Sequence, residues 1–213
     1  MLAPLYELVK DRVVYYLCPK CGSRTILGYG YEINSNEQEV DITVENVNNF
    51  SYNMQLINEA VLTHTNFPIR FCVVRNPVDR FVSAYLNKIY WTLRPNGPEE
   101  PEIPISEVLD TMDDPSYAKK YEEFLSHVIP QYEFYGEDPK LFTHIFNMSQ
   151  FDKIIDLLQK ETGKVLQNTK LNFNRDMDKK PIPDFIKNKI KKRYQKDYDL
   201  YGKWMETNTY TYI

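Results

Sequence analysis

The sequence is poor in cysteine and has no long apolar stretch. Its three cysteines are an odd number and two of them share one short segment, so they do not form the disulfide framework of a small secreted protein. No run of about 18 apolar residues occurs, and residues 1–10 lack the basic and apolar regions of a signal peptide. We therefore expect a protein of a reducing, cytoplasmic compartment without a membrane segment.

An excess of positive charge is also absent. The 26 Lys and Arg residues are outnumbered by 30 Asp and Glu residues, which gives a net charge of −4. No overall positive field favours nucleic acid as a partner, so any site for an anion must be built locally. The 213 residues, 42% of them hydrophobic, suffice for one well-buried α/β domain, and we predict a single domain over residues 1–213.

The strongest local signal is segment 13–25. Residues 13–17 are rich in β-branched and aromatic side chains, which predicts a buried strand, and Pro19 and Gly22 predict a turn after it. A helix is predicted over 24–33, and the side chains at its start, Ser23 and Thr25, are expected to cap it.

The start of this helix is suited to an anion. The first N–H groups of a helix have no partner inside it, and its N-terminal end is positive. Lys20 and Arg24 add positive charge at the same place. The loop is therefore predicted to hold a phosphate or a sulfate.

Cys18 and Cys21 allow two other interpretations of this loop. They resemble one knuckle of a zinc ribbon, but a closed tetrahedral site needs four ligands and the only other cysteine is Cys72. A Cys-x-x-Cys pair between a strand and a helix is also typical of thioredoxin-like redox proteins, because a helix N-terminus stabilises a thiolate. A Walker A loop is excluded, since Gly-x-x-x-x-Gly-Lys-Ser/Thr cannot be written through the segment.

A second strong signal lies at residues 69–74, Ile-Arg-Phe-Cys-Val-Val, which predicts another buried strand. Asn76-Pro77 then predicts the cap and first position of an amphipathic helix over 78–91. Arg75 is thus placed at the carboxyl end of a strand, where open α/β sheets bind their ligands. Ser83 lies two turns into the helix, where a small residue that allows close packing is the alternative interpretation.

Weaker signals complete the predicted architecture, an α/β fold with a central parallel sheet and helices on both faces. They predict a short helix over 4–10, a strand over 40–44 near the edge of the sheet, and helices over 52–62, 105–112, 117–128 and from 184 onward. Segment 163–183 is predicted to be a long polar connection. The basic side of the last helix is predicted to be a solvated face, formed by Lys187, Lys189, Lys191, Lys192 and Arg193.

Both motifs resemble those of sulfotransferases. Segment 19–25, Pro-Lys-Cys-Gly-Ser-Arg-Thr, resembles their 5′-phosphosulfate loop, and Arg75 followed eight residues later by Ser83 resembles their 3′-phosphate motif. Segments 124–131, 141–163 and 194–201 resemble later parts of the carbohydrate sulfotransferases of the Golgi and their soluble bacterial relatives. The resemblance implies the P-loop-like fold of that family.

The resemblance also implies a donor, 3′-phosphoadenosine 5′-phosphosulfate (PAPS), and no metal. It implies that Arg75 and Ser83 bind the 3′-phosphate and that Lys20 stabilises the departing oxygen. The residues implied to hold the 5′-phosphosulfate are Pro19, Lys20, Cys21, Gly22, Ser23, Arg24 and Thr25. The acceptor is implied to be a hydroxyl of a carbohydrate or other small molecule. Two alternatives stay open: an ion pair between Arg75 and Asp79, and a nucleotide-binding protein without transferase activity.

A general base should remove the acceptor proton, and histidine is suited to this near neutral pH. His64, in a Thr-His segment, and His127, in the His-x-x-Pro-Gln segment, resemble residues of the family that bind acceptor or supply the base. His144 alternates with apolar neighbours and is expected to be an ordinary strand residue. Glu32, at the end of the first predicted helix, is a further candidate, since some relatives use a glutamate there.

Overall fold

The computed structural model describes residues 4–35, 41–53, 67–90, 103–167 and 181–206. The chain divides into two compact units, the first formed by Met1–Val74 and Gln131–Arg175 and the second by Arg75–Pro130 and Asp176–Ile213. The described strands are β1 (Leu5–Val9), β2 (Val13–Tyr16), β3 (Ile69–Val74) and β4 (His144–Asn147). The described α-helices are α1 (Ser23–Asn34), α2 (Val44–Asn53), α3 (Pro77–Tyr85), α4 (Ile105–Thr111), α5 (Glu122–Val128), α6 (Gln131–Tyr135), α7 (Phe151–Thr162), α8 (Asp184–Arg193) and α9 (Gln195–Tyr201).

The first unit contains a four-stranded sheet in the order β1-β2-β3-β4. β2, β3 and β4 are parallel neighbours, whereas β1 pairs with β2 antiparallel. The predicted α/β class, with a largely parallel sheet flanked by helices, is confirmed. The strands β2 and β3 are buried along nearly their whole length, as continuous apolar runs predict.

The prediction of a helix over residues 4–10 is wrong, because this segment forms β1. Leu5 and Leu8 are both buried, and their separation of three residues imitates a helical repeat. The structure explains the spacing by an irregular register between Glu7 and Val9, which lets both leucines face the core from one strand. The turn into β2 follows at once, with Asp11 at a φ of 55°.

The strand predicted over 40–44 is also wrong. Residues 41–43 have no strand structure, and α2 begins at Val44. Thr43 Oγ1 accepts a hydrogen bond from Asn46 N at 3.1 Å, so this threonine caps the helix and its local hydrogen bond outweighs the alternation of apolar residues. The helix predicted over 52–62 overlaps only the last residues of α2, and the rest of it lies outside the described residues.

The second unit is helical in its described part. Asn76 caps α3 as predicted, its Oδ1 accepting from Val78 N at 3.0 Å. After Tyr85 the helix continues as a π-helical turn over Leu86–Tyr90. The helix predicted over 117–128 is shorter, because Asp114 caps a separate 3₁₀ turn and α5 begins only at Glu122.

The last helices bury the predicted apolar stripe, including Ile186, Ile190 and Tyr194. Their basic side is not wholly a solvated face. Lys189 forms an ion pair with Asp110, and Arg193 Nη2 donates to Asp113 Oδ1 at 2.7 Å, so part of this charge binds acidic residues near the end of α4. No helix of the described ranges is both long enough and apolar enough to cross a membrane.

Candidate functional site

The loop between β2 and α1 is the first part of the candidate site. α1 begins at Ser23 with Gly22 at its N-cap, and no side chain caps this end. The prediction that Ser23 and Thr25 cap the helix is therefore wrong, because both residues already lie inside its first turn. The carbonyl of Gly22 instead accepts from the backbone N–H groups of Thr25 and Ile26, at 3.1 and 3.3 Å.

The backbone of this loop has an unusual shape. Lys20 and Gly22 have φ angles of 66° and 75°, so two residues separated by one position are left-handed. Gly22 also lies against α7, because a Cβ built on it would be 2.3 Å from Phe151 Cζ. Glycine is therefore favoured at position 22 for two reasons, its conformation and its close contact.

The charge of the loop is positive on balance. Lys20 is half-buried and Arg24 is exposed, while the first turn of α1 contains no acidic residue. No carboxylate of that turn offsets the positive helix end, so the loop is suited to an anion.

The cysteines of the loop are buried. Cys18, Cys21 and Cys72 are free thiols with no exposed surface. Burial raises the pKa of Cys72 well above its ordinary value, so its thiolate is disfavoured. Redox pairs need an accessible sulfur of low pKa, and the burial of both Cys18 and Cys21 argues against a redox function. Across the described segments, no group of three or more His, Cys, Asp or Glu residues could hold a metal ion.

The second motif begins where β3 ends. β2 and β3 are parallel with Tyr16 opposite Cys72, so both strands end at the same edge of the sheet. The phosphate loop follows β2, and Arg75 is the residue directly after β3. Arg75 is half-buried and belongs to the second unit, as does Ser83, which is half-buried within α3.

Tyr198 supports the turn that follows Arg75. Its hydroxyl donates to Asn76 Oδ1 at 3.0 Å, the same atom that caps α3. Burial raises the pKa of Tyr198 to about 12, so the hydroxyl stays protonated and remains a donor at physiological pH. The sequence places Tyr198 in the apolar stripe of the last helices and in segment 194–201, which resembles the family, but nothing in it indicates a contact 122 residues away.

His127 lies in the last turn of α5, where its Nδ1 is near Glu123 O and 3.1 Å from Ser126 Oγ. Its Nδ1 lies 2.7 Å from Glu123 O, and a carbonyl oxygen can only accept, so Nδ1 carries the hydrogen. In the neutral ring the lone pair is then on Nε2. A neutral imidazole with this hydrogen bond can take up a proton at Nε2.

Arg80 fixes the backbone around His127. Its side chain is 1% exposed, and its guanidinium donates to His127 O at 2.9 Å and to Ile129 O at 2.7 Å. Tyr194 donates to the carbonyl between them, Val128 O, at 2.6 Å. Three consecutive carbonyls at the end of α5 are thus held by buried side chains. The sequence places Arg80 beside Ser83 but contains no sign of this contact.

The structure describes two of the other three candidate bases, His144 and Glu32. His64 lies outside the described residues. His144 begins β4 opposite Phe71, at the amino end of the parallel strands and away from the edge where β2 and β3 end. It is exposed, its Nδ1 lies 3.0 Å from Thr143 Oγ1, and burial of part of the ring lowers its pKa.

Glu32 does not fit a base for chemistry at the loop. It is 8% exposed, its Oε1 accepts from Gln167 N at 2.8 Å, and its Oε2 is buried without a hydrogen-bond partner among the described residues. Burial is the largest influence on its pKa and raises it. Glu32 stands nine residues after Ser23 in α1, which is about 13 Å along the axis of a regular helix. That distance is too long for a proton transfer at the start of α1.

Comparison with known protein families shows the general chemistry to which this chain belongs. The sequence model described as the sulfotransferase family matches residues 9–203, which contain both motifs and His127. The chain belongs to the sulfotransferase family. The predicted family is therefore confirmed, and with it the general chemistry of sulfuryl transfer. Searches of curated proteins and of solved structures gave no match to the chain.

Membership of the sulfotransferase family agrees with the interpretation of the loop as an anion site. A sulfotransferase must hold the anionic end of a sulfate donor, and the loop before α1 offers helix N–H groups and Lys20 for that task. It must also admit an acceptor and a base.

Proposed function

We propose that this sulfotransferase moves the sulfuryl group of PAPS to a hydroxyl group, most directly that of a carbohydrate. The observation that carries the proposal is the shape of the loop after β2. This loop has three features of an anion-binding site. Residues 20 and 22 are left-handed, the helix start contains no acidic residue, and Lys20 lies beside it. Arg75 follows the neighbouring parallel strand, which ends at the same edge of the sheet.

The proposed donor carries an anionic group at each of two positions, the 5′-phosphosulfate and the 3′-phosphate, and each motif is proposed to bind one of them. The loop holds the 5′-phosphosulfate through backbone N–H groups at the start of α1, with Ser23 and Thr25 as hydroxyl donors. The Arg75 guanidinium is proposed to bind the 3′-phosphate in bidentate fashion, and the Ser83 hydroxyl to donate a further hydrogen bond. The turn that carries Arg75 is fixed by the two hydrogen bonds that Asn76 Oδ1 accepts.

Sulfuryl transfer is proposed to proceed by in-line displacement at sulfur. The acceptor oxygen forms a bond to sulfur while the bond between sulfur and the bridging phosphate oxygen breaks. Negative charge develops on that departing oxygen, and the Lys20 ammonium stabilises it. The products are a sulfate ester and adenosine 3′,5′-bisphosphate, and no metal ion is needed to balance the charge.

The proton of the acceptor hydroxyl must leave as the new bond forms. His127 is proposed as the base, because its Nδ1–H is bound to Glu123 O and its Nε2 can accept the proton. His64 is the second candidate on the basis of its resemblance to the Thr-His segment of relatives. A carbohydrate acceptor is supported by the resemblance of segments 124–131 and 194–201 to carbohydrate sulfotransferases.

The test is transfer of radiolabelled sulfate from PAPS to a panel of glycans and small alcohols. Lys20→Ala should lower kcat about 10²- to 10³-fold, because it removes charge stabilisation from the transition state. Lys187→Ala is the matched control. It also removes one positive charge, but from α8, where Lys187 pairs with Asp184 at 3.1 Å. Arg75→Ala should mainly weaken donor binding.

Three outcomes separate the possibilities. Turnover that depends on Lys20 but not on Lys187 supports the proposal. Binding of adenosine 3′,5′-bisphosphate without turnover on any acceptor favours a nucleotide-binding protein without transferase activity. Failure of the wild-type protein to bind either PAPS or the bisphosphate contradicts the assignment of both motifs.

A further inference from the structure

Gln131 is a completely buried polar residue that the proposed chemistry does not use. It begins α6 and is 0% exposed. Its Oε1 accepts a hydrogen bond from Cys21 Sγ at 3.5 Å, across 110 residues of sequence. Cys21 is the residue between the two left-handed positions of the loop, so this contact reaches the loop at its centre.

The loop needs such a contact because its backbone is unfavourable by itself. A left-handed conformation at Lys20 costs free energy, since Lys has a Cβ that glycine lacks. The contact of Gly22 with Phe151 restrains the loop on one side. Gln131 restrains the adjacent residue, and the two contacts come from different helices, α6 and α7.

α6 is itself attached to the sheet. Tyr135, at its other end, donates its hydroxyl to Val73 O at 2.8 Å, near the carboxyl end of β3. The short helix therefore connects the loop after β2 to the end of the neighbouring strand within the first unit. This gives Gln131 a fixed base from which to position Cys21.

We propose that Gln131 is a positioning residue that sets the loop for the 5′-phosphate of the donor. This inference rests on the proposed function. A buried amide is suited to the role because it accepts a hydrogen bond without adding a negative charge behind an anion site. Glutamate at this position would place a carboxyl group there and oppose the phosphate.

The test compares two ligands that differ only in the phosphate at issue. Adenosine 3′,5′-bisphosphate uses the loop, whereas adenosine 3′-monophosphate does not, so the ratio of their affinities measures the loop alone. Gln131→Met and Cys21→Ala should each lower this ratio about three- to tenfold by calorimetric titration. The double variant should lower it no further than the more severe single variant, because both changes break one contact.

Control variants separate a positioning role of Gln131 from a general loss of stability. Arg70→Met removes two hydrogen bonds to Leu141 O and Phe67 O in the same unit, at the amino end of β3, and should leave the ratio unchanged. Cys21→Ser retains a donor and should have a ratio closer to the wild type than Cys21→Ala. If Gln131→Met does not fold, Cys21→Ala and Cys21→Ser still test the contact from the loop side.

The inference would be overturned if folded Gln131→Met or Cys21→Ala kept the wild-type ratio of affinities for the two ligands. It would also be overturned if the two substitutions lowered that ratio additively in the double variant. In that case bisphosphate binding by the wild-type protein would leave the proposed function intact. Absence of bisphosphate binding by the wild-type protein would overturn both. A lower ratio in Arg70→Met as well would assign the effect to general loss of stability and overturn the positioning role.

Discussion

Replacement of Gly22 by alanine tests the shape of the phosphate loop most directly. The φ of Gly22 is 75°, and a Cβ at this position would lie 2.3 Å from Phe151 Cζ. Carbon atoms in ordinary contact are about 3.5–4.0 Å apart, so the ring or the loop must move by more than an ångström. Both the backbone conformation and the available space disfavour a side chain here.

The expected cost has two parts. A left-handed conformation costs an L-residue about 1–2 kcal/mol, and overpacking typically costs about 1–3 kcal/mol more. Gly163→Ala is the matched control, because Gly163 has a φ of 69° but a Cβ added to it would have nothing within 4 Å. We therefore expect Gly22→Ala to lower the free energy of unfolding by about 1–3 kcal/mol more than Gly163→Ala does.

Urea unfolding of both variants measures the difference, and titration with adenosine 3′,5′-bisphosphate shows whether the loop has moved instead. Phe151→Ala should remove most of the extra cost of Gly22→Ala, since it deletes the ring that the new Cβ meets. Equal destabilisation by the two glycine substitutions, together with unchanged bisphosphate affinity in Gly22→Ala, would refute the argument.

Two further predictions concern buried polar groups. Arg80→Met leaves the carbonyls of His127 and Ile129 without their donor, so we expect it to lower the free energy of unfolding by about 2–6 kcal/mol in urea and to lower kcat more than it changes the donor KM. Wild-type stability in Arg80→Met would contradict this. Burial raises the pKa of Glu32, so the folded state binds this proton more tightly than the unfolded state does. The contribution of Glu32 to stability therefore falls as the pH rises from the ordinary glutamate range through the raised pKa. Glu32→Gln should therefore unfold at higher denaturant concentration than wild type at neutral pH, lose that advantage at acid pH, and keep its turnover, whereas loss of turnover would identify Glu32 as the base.

The parts of the fold that the sequence predicts well are those with strong local signals. The predicted bounds of β3 match the observed ones, and those of α1 nearly do. In both cases, apolar runs or helical spacing coincide with clear turn residues. The cap at Asn76 is also predictable, because asparagine is a favoured N-cap residue and proline is favoured at the first position of a helix.

The errors arise where a local irregularity changes the pattern. The irregular register in β1 gives Leu5 and Leu8 a helical spacing, and the cap at Thr43 turns an alternating segment into the start of a helix. In the candidate site, the phosphate loop is recognisable from the sequence, but the geometry of its helix start is not. Gly22 at the N-cap leaves Ser23 and Thr25 inside the helix, which the residue types alone do not indicate.

The residues that sequence reasoning misses are long-range partners of the motifs. Cys21 is bound by Gln131, Asn76 by Tyr198, and the carbonyl of His127 by Arg80, at sequence separations of 110, 122 and 47 residues. Each partner lies inside a segment that resembles the sulfotransferase family, but the sequence of that segment does not indicate the contact. A motif therefore supplies the reactive groups, whereas remote side chains supply their geometry. It follows that a relative could keep both motifs intact and still lose activity through a change at one of these partners, which makes them informative positions for substitution.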